Sequence, residues 1–235
     1  MSYLELLRLA APETIVGLTA LAVLAIDLTS MGALETRVRF TVGGMIAIVG
    51  CAAAILWTLV IPAQADALHG MLVVNPMTQL VKLCLLGLTI FTVLISIEAK
   101  FTTHVGEYLA LILLATVGMM FLVSAEDVLM IFIALELTSL SLYILTAFNK
   151  RNIRAAEAAL KYFLFGGMAA AFMLFGLSLI YGLSGSTNLH GIAAALAGHP
   201  DAARHVASGA LDVAHARRAR QARQLVGPAA HPIEE

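Results

Sequence analysis

The chain has 235 residues, of which 60% are hydrophobic and only 12% charged, and its formal net charge is −1. Soluble domains are closer to half apolar, so this composition excludes a water-soluble globule and indicates an integral membrane protein in contact with the lipid bilayer. The near-neutral charge gives no footing for a nucleic-acid partner.

About 20 apolar residues cross the hydrocarbon core at 1.5 Å per residue. Six segments qualify, approximately 14–29, 40–61, 71–97, 107–123, 128–148 and 158–183. The expected fold class is therefore all-α, a polytopic transmembrane bundle of about six helices, with residues 1–198 as the membrane domain and 199–235 as a polar, Ala/Arg-rich tail of disordered character. The opening MSYLELLRLAAPE lacks a small-residue cleavage site and predicts an uncleaved first helix. Pro12 suits its first turn, where a missing N–H is no loss, and Pro62 suits the end of the second helix. In the third segment, Lys82 lies one to two turns beyond the break at Asn75 and Pro76 and fits an interfacial or packing lysine. Glu126 and Asp127 precede the fifth segment, where acids complement the dipole of a helix N-terminus.

The links between segments alternate in charge. Those after the first, third and fifth carry Arg37 and Arg39, then Lys100, then Lys150, Arg151 and Arg154; those after the second and fourth carry Asp66 with His69, then Glu126 with Asp127. The positive-inside rule puts the basic links in the cytoplasm and the N-terminus on the opposite side, with Arg8 arguing weakly the other way. In the tail, ARRARQARQL has the composition of a basic turn or two on an anionic lipid surface.

Two charges stand where lipid disfavours them. Glu136 is near the middle of VLMIFIALELTSLSLYILTAF, and Lys161 is a turn or so inside AALKYFLFGGMAAAFMLFGLSLIYG. A charge at the centre of a membrane helix costs about 3 kcal/mol on insertion scales, so it usually has a partner, a wet cavity or a task. Glu136, Ser139, Tyr143 and Thr146 recur at i, i+3, i+7 and i+10, one polar stripe on an apolar cylinder. Such a stripe can line a seam in which a carboxylate accepts and releases protons; it is also the pattern of a glutamate that ties helices together. For Lys161 a proton relay stands beside a plainer reading, a lysine that pairs with Glu157 four residues earlier and snorkels to the interface. Gly166, Gly167 and Ala169 to Ala171 allow close helix approach, which favours a protein-facing Lys161. Cys51 and Cys84 fall in apolar runs without metal-ligand spacing and read as small core residues. The seven histidines show no HxxxH or HExxH spacing, and the chain carries no Gly-rich phosphate loop, CxxC pair or Ser/His/Asp set.

Three stretches, APETIVGLTALAVLAIDL, EDVLMIFIALELTSLSLYILTAF and above all EAALKYFLFGGMAAAFMLFGLSLIYGLSGSTNL, resemble subunit N of bacterial proton-translocating NADH:quinone oxidoreductase, respiratory complex I. The resemblance covers roughly residues 1–198, and the third stretch separates subunit N from its paralogues and from Mrp-type cation/proton antiporters. It implies an antiporter-like membrane subunit that helps translocate protons as NADH is oxidised by quinone; in the bacterial inner membrane, the N-terminus that the positive-inside rule puts outside is periplasmic. By the same resemblance Glu136 and Lys161 are members of the proton path, and the partners are the other membrane-arm subunits. No cofactor is expected in this chain; the parent complex uses FMN, iron–sulfur clusters and a quinone. Family members have about fourteen helices in inverted repeats, with a lysine on a broken helix facing the helix-five glutamate. That helix has no counterpart in this sequence, and the composition break near His199 gives the expectation of a truncated or frame-shifted copy. Two rivals are an Mrp-like antiporter subunit and a non-catalytic membrane bundle.

Overall fold

The computed structural model describes residues 10–32, 34–60, 65–67, 71–98, 102, 104–149 and 152–198. Arg8, Pro62, the Asp66 side chain, His69, Lys100, Lys150, Arg151 and the 199–235 segment lie outside the described residues. Among the described residues, six helices are long and apolar enough to span a membrane. They are α1 (Ala11–Ser30), α2 (Thr36–Val60), α3 (Pro76–Glu98), α4 (Val105–Ser124), α5 (Val128–Thr146) and α6 (Ile153–Ser184), followed by the short α7 (Leu189–Gly198). Between α2 and α3 the chain makes an antiparallel hairpin of β1 (Ala65–Ala67) and β2 (Leu72–Val74), with Ala65 opposite Val74.

The all-α bundle expected from hydropathy is therefore present, with two local differences. The run that hydropathy starts at Met71 is split: its first residues pair as β2, and α3 begins only at Pro76. Proline fits that first helical position, and Thr78 Oγ1 both accepts from the Asn75 N–H and donates to the Asn75 carbonyl, closing the helix start. The hairpin and α7 are too short to register in a search for spanning segments. Pro12 does fall in the first turn of α1.

The core is built by α1 to α4. Val16, Ala20 and Val23 of α1, Phe40, Ala47, Cys51 and Ala54 of α2, and Leu86 and Val93 of α3 close around Leu109, Leu113, Val117 and Met120 of α4. Lipid is as apolar as leucine, so close van der Waals packing of small residues, and not exclusion from water, holds such a bundle. Cys51 belongs to this core; Cys84, expected there, is instead exposed on the outer face of α3.

α5 and α6 are more open. In α5 only Val128, Ala134 and Ser141 are buried, and in the 32 residues of α6 only Ala159. α5 leans on α4 where Gly118 meets it: a Cβ there would stand 2.9 Å from both the Ala134 carbonyl oxygen and the Thr138 nitrogen. Gly166 does the same for α6, since Tyr143 occupies the space of its missing side chain and makes edge contacts with Tyr162 and Phe163 at 4.7 and 5.8 Å. α6 ends where Gly185 takes the left-handed conformation, φ 65°, and donates to the Tyr181 carbonyl at 2.8 Å.

Gly118 faces the Thr138 hydroxyl and, beside it, backbone atoms that have no rotamer by which to yield. Gly118→Val should destabilise the bundle by about 1–3 kcal/mol through overpacking. Gly87→Ala, where nothing lies within 4 Å, should be neutral or slightly stabilising. Unfolding in mixed micelles followed by circular dichroism measures both.

Candidate functional site

Successive helices run antiparallel, so the bundle has two ends. The hairpin, the 125–127 link and the 185–188 link share one; the C-terminal ends of α1, α3 and α5 and the N-terminal ends of α2, α4 and α6 share the other. At the hairpin end the backbone is stitched across three segments. Glu126 donates to the Met71 carbonyl and Val128 to the Thr187 carbonyl, each at 2.9 Å, and Leu189 returns a bond to the Glu126 carbonyl, also at 2.9 Å. Asp127 is the hub. Its carboxylate accepts from the Leu129 and Met130 N–H groups, as an N-cap should, and from the Thr187 hydroxyl at 2.5 Å. The dipole role expected for this acid is met, and the tie to Thr187 joins the start of α5 to the end of α6.

From that anchored start, Glu136 is the ninth of the 19 residues of α5, about 12 Å along its axis and so near mid-membrane. It is half-buried, and so are Ser139, Tyr143 and Thr146, the other members of its stripe. None of the ion pairs among the described residues involves Glu136.

Lys161 lies elsewhere. Its side chain is 65% exposed, and its ammonium sits on Glu157 of the same helix at 2.5 Å. Tyr143 lies level with residues 162–166 of α6. Glu136 is seven residues from Tyr143 toward the hairpin end and Lys161 lies on the opposite side of it, which separates the two by about 15 Å along the axes. The structure thus brings Glu136 and its hydroxyl stripe together and leaves Lys161 outside direct reach.

Two intramembrane ion pairs went unread in the sequence. Asp27, near the end of α1, holds Arg39 of α2 in a two-pronged bond at 2.8 and 2.6 Å, and also accepts the Gly106 N–H at the start of α4 at 2.9 Å. Three helices meet on this one carboxylate. The signal was available in an acid and an arginine flanking a short helical hairpin. Near the other end, Lys82 of α3 pairs with Glu13 of α1 at 2.6 Å, both side chains no more than 4% exposed. Lys82 is therefore a buried, paired residue and not an interfacial one. Its partner is far away in the sequence, and no local spacing marks it.

The family described as NADH:quinone oxidoreductase/Mrp antiporter, TM, matches residues 125–218, which include α5, α6 and the Glu136 stripe. Among curated relatives, the chain is 46% identical over 210 residues to NADH-quinone oxidoreductase subunit N 2 of Acidobacterium capsulatum, covering 86% of this chain and 42% of that protein. It is 35% identical over 192 residues to subunit N 1 of Rhizobium meliloti, covering 81% and 39%. A chain of respiratory complex I from Thermus thermophilus superposes with a TM-score of 0.62 at 30% identity, over 76% of this chain and 38% of that one. The archaeal membrane-bound sulfane sulfur reductase shares the fold, with a TM-score of 0.64 at 23% identity over 79% and 39%. The chain thus spans about two fifths of the length of the curated relatives it matches.

Asp127→Ala removes an N-cap and the α5–α6 tie together and should cost about 1–2 kcal/mol. Hydrogen exchange at the Leu129 and Met130 amides should quicken at least tenfold, while amides in the middle of α4 keep their protection.

Proposed function

We propose, on the premise that this chain belongs to the membrane subunits of the NADH:quinone oxidoreductase/Mrp antiporter family and matches subunit N, that it takes part in proton translocation coupled to electron transfer from NADH to quinone. It works in the membrane arm of the oxidoreductase beside the other membrane subunits. It lies in the bacterial inner membrane with its N-terminus periplasmic, which puts the Arg37, Arg39 and Arg154 end in the cytoplasm. FMN, iron–sulfur clusters and quinone belong to the parent complex, and this chain's part is to hold and pass protons.

The observation that carries this reading is Glu136. A carboxyl group at mid-helix, half-buried and outside every ion pair of the described residues, is poorly explained as a structural tie. Around it the stripe supplies hydroxyls: Ser139 one turn away, Tyr143 two turns away and Thr146 beyond. A hydroxyl both donates and accepts, so it passes a hydrogen-bond chain onward where a methyl group stops it. Lys161, about 15 Å further along the axes, acts at the cytoplasmic end of this line.

In inside-out membrane vesicles carrying the assembled complex, Glu136→Gln should lower NADH-driven proton uptake at least fivefold. Subunit content and NADH oxidation by an artificial electron acceptor should stay unchanged. Wild-type proton uptake in that variant would remove Glu136 from the path.

A further inference from the structure

The buried pair of Glu13 and Lys82 has no part in the line described above. It joins α1 to α3 at the hairpin end, inside the four-helix core, away from α5 and α6. Three features set it apart from a helix tie. First, Glu13 Oε1 takes the ammonium at 2.6 Å while Oε2, equally buried, makes no hydrogen bond among the described residues. A carboxylate oxygen removed from solvent and left with capacity to accept is a place for a water molecule. Second, a buried ion pair is weak evidence for stability, since apolar residues of similar volume often hold a fold as well or better.

Third, the pair stands at the head of a polar series. Lys82, Thr89 and Ser96 recur every seven residues on the buried face of α3, at steps of about 10 Å. Thr89 Oγ1 meets Thr116 Oγ1 of α4 at 2.9 Å, and Ser96 Oγ meets Tyr108 Oη of α4 at 3.1 Å. Thr89 and Thr116 also reach the carbonyls of Leu85 and Ile112, so two hydroxyl protons serve three contacts and either residue can be the donor across the bridge. Between these polar levels, Leu86 and Val93, both fully buried, close the face. The polar series is therefore interrupted by aliphatic side chains.

We propose that Glu13 and Lys82 form a second proton-exchanging site of this chain, hydrated at Glu13 Oε2 and communicating with the aqueous phase at the hairpin end. Exchange begins as a proton leaves Nζ, breaking an N–H bond, and joins Oε1, forming an O–H bond and a neutral amine–acid pair. The acid then gives a proton to water, and the amine takes one from water. Charge and atoms balance with water as the only co-reactant. The role of this pair in transport rests on the proton-translocation reading above; its exchange with water does not.

The test replaces the charges without leaving either one alone. In the assembled complex, the double variant Glu13→Leu with Lys82→Met should retain subunit content and NADH oxidation, while protons taken up per NADH fall by a third or more. Unchanged proton yield in that variant would reduce the pair to a helix tie and overturn the proposal. Should the double variant fail to assemble, the unsubstituted chain in lipid nanodiscs decides. With 15N-labelled lysine, the Lys82 Nζ protons should exchange into heavy water within minutes, and exchange over days would show a sealed pair and overturn it equally. Normal proton uptake in Glu136→Gln together with loss in the double variant would sink the Glu136 reading and leave this one standing.

Discussion

Hydrocarbon offers no partner to a charge, and the arrangement of this protein follows from that constraint. α1 and α2 are fixed to α4 by one carboxylate, Asp27, which answers Arg39 and the Gly106 N–H together. Glu13 of α1 and Lys82 of α3 answer each other's charge. The two clusters lie near opposite ends of the same four helices, and between them the core is aliphatic, closed by Leu86, Leu109, Leu113 and Met120. Removing one partner of either pair strands a buried charge, a loss of about 3–5 kcal/mol, whereas exchanging both for apolar residues is far milder.

Against that saturated half, α5 and α6 are sparsely covered. The Asp127 hub sets where α5 begins, Gly118 sets how closely it approaches α4, and Gly166 with Tyr143 sets how α6 lies on it. Each of these contacts fixes the height or rotation of Glu136. The exposed apolar residues of α6, among them Phe165, Phe172 and Phe175, present a surface suited to lipid or to further protein. The curated relatives that the chain matches are more than twice as long as the part it aligns with. A four-helix block thus carries a less enclosed pair of helices, with Glu136 at mid-helix outside the ion pairs of the described residues.

Much of this was legible in the sequence because the signals were local. Hydropathy placed six spans, Pro12 and the Asn75–Pro76 break marked helix starts, and the two acids before α5 announced the cap that Asp127 makes. Glu136 and its stripe followed from helical periodicity. What stayed hidden depends on distance along the chain or on facing direction. Glu13 and Lys82 lie 69 residues apart, so neither reveals the other. Arg39 was counted for its charge in a link when its guanidinium in fact turns back to Asp27. Cys84 and Lys161 sit in apolar runs that do not say which way a side chain points, and both point outward. The hairpin was masked because LVV reads as easily into a helix as into a strand.

Asp27 is held by Arg39 within the bundle, whereas Glu136 stands outside the ion pairs of the described residues. Modification by a hydrophobic carbodiimide, which reacts with the neutral acid in a lipid environment, tests that difference directly when native membranes are labelled and the peptides are mapped by mass spectrometry. Glu136 should be modified within minutes while Asp27, held by Arg39, is spared. Labelling of Asp27 with Glu136 untouched would contradict the account.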